Sequence, residues 1–376
     1  MRWLPILLCS AALAGDTDVA GKIREAMAKG DYAAAAALYS GLINGGQASP
    51  ELRSNYGLTL HLAGRNQDAL EQFRLALRQK PDLTAANLFA GVALVELDRA
   101  GEALRYLDRA RSLDGAGAAP LVALGKAYVA LRDFAKANAA YAEAVKRDPK
   151  LSEGWYGLGI TYRSLAEEQL NRAAHREPGN AAEWRRLLDQ SLVALNQAVA
   201  LAPDSPRAHL ILGESLRDSG KLVDAIPEYQ AAIRLAPKMQ AAYLGLATTY
   251  WKNGDFDRAL PELDRALDLS PADPEANAIY ADILEHRNDP DNAEKRAMLA
   301  VAGNPRLFAA HIVLARIYLS RRQPEKAVQQ LEQVVNADPD GSYHFLLWRA
   351  YKLSGKPKEA EAALAEFQRI RSTQQP

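Results

Sequence analysis

The sequence is poor in cysteine and histidine and has no excess of either charge. Among its 376 residues there are one cysteine, Cys9, and six histidines. A single thiol excludes an internal disulfide framework, a cysteine-based zinc site and an iron–sulfur cluster, because each needs at least two thiols from the chain. Lys plus Arg and Asp plus Glu each number 46. No basic excess is present to neutralise phosphates, so we expect no nucleic-acid partner.

The motifs of common enzymes are also missing. The sequence contains no Gly-rich phosphate loop, no nucleophile elbow and no helix motif with paired histidines. No two histidines are three or four residues apart, so no helix face offers two imidazoles to a metal. We therefore expect no enzyme, no cofactor and no metal site.

Long apolar runs are scarce, and the one at the N-terminus is typical of a targeting signal. Arg2 precedes a stretch of about ten mostly apolar residues, which ends in small residues that suit a signal peptidase. We predict a signal peptide over residues 1–14, with cleavage between Ala14 and Gly15, and hence a periplasmic or secreted protein. The stretch is too short for a membrane-spanning helix, which needs roughly 20 residues. We expect no membrane span in the mature chain.

Another interpretation of this segment stays open. Pro5 within the apolar stretch and the single basic residue before it also fit a hydrophobic N-terminus on a cytosolic protein. A lipid anchor on Cys9 is disfavoured, because Leu8 occupies the position where bacterial lipoprotein signals have a small residue. If cleavage follows Ala14, the mature chain has no cysteine.

Two residue markers recur with a period of 34 residues. Small residues occur at Ala35, Ala69, Ala103, Ala137, Ser191, Ala225, Ala259, Ala293, Ala327 and Ala360. Their spacing is 34 except for 54 between Ala137 and Ser191 and 33 at the last step. A second marker, proline in all but one case, follows twelve residues after each small residue from Ala69 to Ala327. A fixed period of this size indicates a repeat protein.

Each repeat is predicted to form two short helices. In the second repeat, apolar residues at Leu52, Tyr56 and Leu60, and again over residues 69–77, have the i, i+3, i+4, i+7 spacing of amphipathic helices. Gly64 lies between the two runs, where glycine tolerates the left-handed conformation at a helix C-terminus. The sequence therefore predicts an all-α fold.

These markers resemble the consensus of the tetratricopeptide repeat (TPR) family. The first-helix pattern of an aromatic residue, Leu-Gly and Tyr matches Trp155, Leu158, Gly159 and Tyr162. The second-helix pattern matches Gly220, Ala225, Tyr229, Ala232 and Pro237. The resemblance covers about residues 17–371 and implies a right-handed α-solenoid, or superhelix, of about ten helix-turn-helix units. We place the units within a solenoid over 15–371, at about 17–47, 50–83, 84–117, 118–151, 152–205, 206–239, 240–273, 274–307, 308–341 and 342–371, before a flexible tail at 372–376.

The fifth unit is longer than the others. Its marker spacing of 54 instead of 34 leaves 20 extra residues. Helical patterns on both sides of Pro178-Gly179-Asn180 predict that the insertion, residues 163–182, lengthens both helices into a hairpin. The hairpin is either a docking surface or lid over the groove, or a tolerated insertion without a function of its own.

The resemblance also implies a binding surface, because the concave wall of TPR proteins binds peptides or segments of other proteins. It places on this wall Leu58, Leu88, Val92, Val95, Val122, Val129, Tyr156, Ile160, Trp251, Arg316, Arg349 and Lys352. The N-terminal half of this set is apolar and the C-terminal half is mixed and charged. An apolar groove suits a hydrophobic segment or an amphipathic helix of a partner protein. The alternative is that the apolar stripe serves packing between repeats.

Three functional hypotheses follow. The leading one is a non-catalytic scaffold or adaptor exported to the cell envelope, which binds a partner segment in its groove. The second is an accessory subunit of an envelope machine for polymer or pilus export. The third is an enzyme built from groove residues such as Arg316, Arg349 and Glu285, which is disfavoured because ten repeats leave no room for a catalytic domain.

Overall fold

The computed structural model describes residues 17–46, 48–113, 117–174, 181–334, 338 and 341–373. These residues form twenty α-helices, two for each predicted repeat. The first five pairs are α1 (Thr17–Ala28), α2 (Tyr32–Asn44), α3 (Pro50–Leu62), α4 (Asn66–Gln79), α5 (Thr84–Glu96), α6 (Ala100–Ser112), α7 (Ala119–Ala130), α8 (Phe134–Arg147), α9 (Ser152–Ala174) and α10 (Ala181–Leu201).

The last five pairs begin after Pro203. They are α11 (Pro206–Asp218), α12 (Leu222–Leu235), α13 (Gln240–Lys252), α14 (Phe256–Leu269), α15 (Pro274–His286), α16 (Pro290–Gly303), α17 (Phe308–Ser320), α18 (Pro324–Glu332), α19 (Ser342–Leu353) and α20 (Pro357–Thr373). Within the described ranges, no helix combines the length and the apolar character that crossing a membrane requires.

The chain divides into two compact bodies. The first comprises the described residues of 1–170 and 180–203, and the second those of 171–179 and 204–376. Outside the fifth repeat, the two helices of each repeat pack against each other. The helices α2, α4 and α6 of the first body and α12, α14, α16 and α18 of the second also pack against the helix that follows. Successive odd-numbered helices also contact each other, as α3 with α5 and α5 with α7 in the first body, and α13 with α15 and α15 with α17 in the second. The odd-numbered helices from α3 to α7 in the first body and from α11 to α19 in the second therefore form a continuous face.

Small residues bring the two helices of a repeat together. The marker residues from Ala35 to Ala327 are fully buried, and Ala360 is nearly so. Four residues further along, Tyr39, Phe73, Leu107, Leu195 and their equivalents as far as Leu331 are also buried. The 34-residue period therefore marks the helix contacts, as the sequence predicts.

Glycines on the odd-numbered helices make room for these large side chains. Tyr141 of α8 lies between Gly125 of α7 and Gly157 of α9. A Cβ atom on Gly125 would lie 2.5 Å from the Tyr141 ring, and one on Gly157 would lie 2.4 Å from it. Both distances are shorter than van der Waals contact, so only glycine fits where the helices approach this ring.

The turns within the repeats adopt the predicted left-handed conformation. Gly64, Gly220 and Gly254 have φ angles of 76°, 77° and 76°. Arg132 and Asn288 occupy the same turn position with φ of 58° and 59°. The turn geometry is thus kept where the sequence has no glycine, at a cost of roughly 1–2 kcal/mol for each such residue.

The insertion in the fifth repeat lengthens both helices, as predicted. α9 has 23 residues and α10 has 21, against 12 to 14 in a regular repeat such as the fourth. The added turns have a small core of their own, in which Ala166, Leu187 and Leu188 are buried and Tyr162 and Trp184 pack against them. The predicted turn at residues 178–180 lies outside the described residues.

One predicted boundary is wrong. α20 continues to Thr373, two residues into the predicted tail at 372–376. Gln368 to Arg371 are good helix formers, and the hydroxyl of Ser372 donates a hydrogen bond of 2.8 Å to the Arg369 carbonyl. The helix therefore has no local signal to stop at residue 371. The predicted signal peptide, its cleavage site and residues 374–376 lie outside the described residues.

Candidate protein-binding surface

The apolar residues predicted for the groove lie on the odd-numbered helices of the first body. Leu58 is on α3, Leu88, Val92 and Val95 are on α5, and Val129 is on α7; all are half-buried and pack against the body's core. Tyr156 and Ile160 of α9 are half-buried as well. The structure therefore brings these residues to one face of neighbouring helices and leaves part of each side chain exposed.

Val122 does not belong to the accessible part of this face. Its side chain is only 6% exposed and lies in the core cluster with Leu121, Tyr141 and Leu158. Its prediction as a groove residue is corrected here. α7 also contains buried Pro120, Leu124 and Ala127, so this helix is apolar around most of its circumference and the family position alone does not identify its exposed side.

An ion pair borders the apolar face. The Lys126 ammonium of α7 lies 2.5 Å from the Glu153 carboxylate of α9. Both side chains are about half exposed, so this pair contributes at most about 1 kcal/mol to stability. Burial raises the pKa of Tyr141, and the negative charge of nearby Glu153 raises it further. The phenol beneath this face is therefore neutral at physiological pH.

The predicted residues of the second body form a polar network. The indole N–H of Trp251 on α13 donates a hydrogen bond of 2.7 Å to Asp282 Oδ2 on α15. The Arg316 guanidinium of α17 donates to Asp282 Oδ1 and lies 3.0 Å from Glu285 Oε2. Three successive odd-numbered helices are thus joined through one carboxylate. The charged groove predicted for this half is largely satisfied internally.

A metal-like cluster lies in this network and was missed in the sequence. Asp282, Glu285 and His286 have i, i+3, i+4 spacing on α15, and their ligand atoms lie within 4.8 Å of one another. A search for paired histidines overlooks such a set, whereas a search for any three ligating side chains would find it. The Arg316 guanidinium already contacts both carboxylates. The cluster therefore has a built-in cation, which disfavours a metal ion there.

The last two predicted groove residues do not join this network. Arg349 and Lys352 of α19 are exposed. The Lys352 ammonium lies 5.3 Å from the centroid of the Trp348 ring, in a cation–π contact. Trp348 replaces the small residue found at this position in other repeats and packs against Phe345, with ring centroids 5.4 Å apart.

Histidines at equivalent positions of three repeats are structural, in agreement with the sequence interpretation. His209 Nδ1 lies 2.6 Å from Glu228, His311 Nδ1 lies 3.0 Å from Gln330, and His344 Nδ1 lies 2.6 Å from Asp338. His209 and His311 are buried. Each imidazole therefore joins its helix to a neighbouring segment of the same body.

The paired helices, the buried small residues and the period of 34 define a helical repeat protein. A family model described as tetratricopeptide repeat matches residues 21–84, 122–174, 179–239 and 312–375, and another of the same description matches 216–283 and 250–305. The chain belongs to the tetratricopeptide repeat family and has its all-α solenoid fold. TPR proteins are generally non-catalytic scaffolds for protein–protein interaction.

Solved structures show the same fold at low sequence identity. A human IFIT1 dimer with m7Gppp-AAAA is 20% identical and has a TM-score of 0.52, over 86% of this chain and 77% of that one. YrrB, described as a TPR protein with an unusual peptide-binding site, is 21% identical with a TM-score of 0.43, over 54% and 95%. TTC0263 from Thermus thermophilus, a thermophilic TPR protein, is 24% identical with a TM-score of 0.42, over 54% and 98%. No curated protein matches the chain.

Proposed function

We propose that this protein is a non-catalytic adaptor, exported to the cell envelope, that binds an apolar segment of a partner protein on the odd-numbered helices of its first body. The observation that carries the proposal is the row of half-exposed aliphatic side chains on α5, α7 and α9, of which Val92, Val129 and Ile160 are examples. A row that follows neighbouring parallel helices suits the apolar face of an amphipathic helix.

The polar network of the second body supports this assignment to the first body. Asp282 and Glu285 are both paired with Arg316, and the only hydrogen-bond donor of the Trp251 side chain binds Asp282. A partner would have to break these contacts to use the same groups. The aliphatic side chains of the first body have no such competing bonds, and covering them releases water at no polar cost.

The test is capture of partners from a native envelope extract. The bait is the chain from Gly15 to Pro376, beside a Val92→Asp/Ile160→Asp variant. We expect the wild type to retain a partner and the variant to bind it at least tenfold more weakly. A tenfold change in affinity corresponds to ~1.4 kcal/mol, and burying an unpaired carboxylate under the partner costs more than that. Unchanged affinity in the variant contradicts the assignment.

Two further variants make the result interpretable. Val223→Asp places the same charge at an exposed valine of α12 in the second body and should leave capture unchanged. Val92→Thr keeps the shape of valine but adds a hydroxyl group. It replaces the aspartate variant in the binding test if circular dichroism shows that the aspartate variant is poorly folded. A membrane-embedded component of an export machine among the captured proteins would favour the accessory-subunit hypothesis.

Export has its own test. N-terminal sequencing of the protein purified from its native host should begin at Gly15 if the predicted signal is cleaved after Ala14. A chain that begins at Met1 or residue 2 and lies in the cytosolic fraction would contradict export and leave the binding proposal standing.

A further inference from the structure

The lengthened hairpin contains a cavity that the proposed groove does not use. Its volume is about 670 Å³, and it lies between α9 and α10 in the first body. Cavities of this size, roughly 300–1,000 Å³, are typical of ligand sites. The residues that matter for its chemistry are Trp155, Leu158 and Tyr162 of α9 and Arg185, Gln190 and Val193 of α10.

One wall of the cavity is apolar and accessible. Val193 is 68% exposed, although it is a large aliphatic residue, and Trp155 and Tyr162 are half-buried. The indole N–H of Trp155 donates a hydrogen bond of 2.9 Å to the Pro149 carbonyl, which fixes the ring in place. A preformed apolar wall with an anchored aromatic ring can accept a bulky side chain without first rearranging.

Two polar groups on α10 have no partner within the described part of the chain. The Arg185 guanidinium is exposed and takes part in no ion pair or hydrogen bond there, whereas its neighbour Arg186 is paired with Glu183 at 2.6 Å. The side-chain carbonyl oxygen of Gln190 is buried and accepts no hydrogen bond. That oxygen has no exposed surface towards the cavity either, so of the two groups only Arg185 is available to a ligand.

The equivalent place in a regular repeat has different chemistry. A smaller cavity, about 460 Å³, lies between α13 and α14 of the seventh repeat and is also lined by Gln230, Ile233 and Arg234 of α12. There, Pro261 and Glu262 occupy the positions of Val193 and Ala194. Glu262 is half-buried, and this burial raises the pKa of its carboxyl group. An apolar group from a partner would desolvate this carboxylate further, so the cavity in the seventh repeat suits an apolar side chain less well than the cavity in the hairpin.

The cavity is separate from the proposed groove. At about 100° per residue, Tyr156 and Ile160 lie roughly 130° around the α9 axis from Trp155 and Tyr162. A partner on one face therefore does not cover the other. The inference does not rest on the proposed function, and the two can fail independently.

We propose that the cavity between α9 and α10 binds a segment of another protein that inserts one bulky apolar side chain against Trp155 and Val193 and pairs a carboxylate with Arg185. The apolar wall accepts the side chain. The charged residues that line the cavity are Arg185, Arg186 and Asp189. Two of the three are cationic and Arg185 is unpaired within the described part of the chain, so an acidic flank on the segment is complementary in charge. The insertion is then a second docking surface.

Fluorescence anisotropy with labelled twelve-residue peptides tests this on the full chain. One peptide has a central phenylalanine flanked by glutamates, a second has lysines in place of the glutamates, and a third has alanine in place of the phenylalanine. We expect the first peptide to bind and each of the other two to bind at least tenfold more weakly. Arg185→Glu should reverse the preference between glutamate and lysine flanks, and Val193→Asp should weaken the first peptide at least tenfold.

Matched controls locate the effect. Val223→Asp changes an equally exposed valine in the second body and should leave peptide affinity unchanged. The Val92→Asp/Ile160→Asp variant should also bind normally, which separates this surface from the groove. Both Val193 and Arg185 are exposed, so their substitutions should not affect folding.

Three outcomes would overturn the proposal. Equal binding of the glutamate and lysine peptides would indicate unspecific apolar contact. No binding of any peptide at millimolar concentration would show that the cavity takes no such segment. A dimer in analytical ultracentrifugation that Val193→Asp abolishes would show that a second copy of this chain covers the cavity.

Discussion

The stability of the first body should respond differently to the same substitution at two of its glycines. Gly91 lies in α5 and is buried, and a Cβ atom there would lie 2.4 Å from both Cγ and Cδ2 of Leu107. Leu107 is fully buried on α6, so it has little room to move. Gly41 lies in α2 and is exposed, and a Cβ atom there would meet nothing within 4 Å.

The magnitudes follow from two opposing terms. Alanine is favoured over glycine inside a helix by roughly 1 kcal/mol. Gly41→Ala should raise the stability of the protein by most of this amount. Gly91→Ala gains the same amount but overpacks the helix contact, which costs about 1–3 kcal/mol. We therefore expect Gly41→Ala to stabilise by about 0.5–1 kcal/mol, and Gly91→Ala to be neutral or destabilising by up to about 2 kcal/mol.

Urea unfolding followed by circular dichroism at 222 nm measures the difference. Because repeat proteins need not unfold in one step, the midpoints of the first transition are compared rather than extrapolated free energies. Leu107→Val should partly rescue Gly91→Ala, since it removes one of the overlapping carbon atoms. If Gly91→Ala is as stable as Gly41→Ala, the close contact between α5 and α6 is not a constraint and the reasoning fails.

Three other predictions concern single contacts. The Tyr39 hydroxyl is buried without a hydrogen bond to any described residue, and burial raises its pKa from 10.0 to about 12. Between pH 10 and 12 the folded chain keeps this proton while the unfolded chain loses it. The free energy of unfolding therefore falls as the pH rises through that window. Tyr39→Phe should stabilise the protein by up to ~1 kcal/mol and should lose less stability than the wild type as the pH rises. If the urea midpoint shifts equally from pH 9 to 11 in both proteins, this prediction is wrong. Gly220→Ala should lower stability by about 1–2 kcal/mol, because alanine is strained at a positive φ, whereas Arg132→Gly should raise stability by up to ~1 kcal/mol. Thermal melts that shift in the same direction for both variants would be inconsistent with strain in these turns. Arg316→Met and Asp282→Asn should show a coupling of about 0.5–3 kcal/mol in a double-mutant cycle, and strict additivity would mean that this ion pair contributes nothing.

The repeat architecture is readable in the sequence because its causes are local. The small residue of each repeat must be small wherever two helices approach, and the turn needs a left-handed residue at the same place each time. The small residue, as at Ala35 and Ala69, therefore recurs in every copy, whereas the turn glycine, as at Gly64, is replaced in some copies by residues such as Arg132. The helix bounds follow from these two signals within a few residues. The misplaced end of α20 lies where no such signal exists.

The binding surfaces depend on contacts between residues distant in sequence. Trp251, Asp282 and Arg316 are separated by 31 and 34 residues, and only the stacking of α13, α15 and α17 shows that they satisfy one another. Val122 occupies the same repeat position as its half-exposed neighbours, yet the packing of α7 buries it. Burial depends on what lies opposite a side chain, and a position in a repeat does not specify this.

The sequence by itself determined that this chain is a stack of ten helix pairs with one lengthened pair, because periodic packing constraints repeat in the residues that satisfy them. Only the tertiary structure decided which polar groups remain without partners. Arg185 is unpaired within the described part of the chain while Arg186 is not, although the two are adjacent and identical in type, because pairing depends on the direction in which each side chain leaves the helix and on what it meets there.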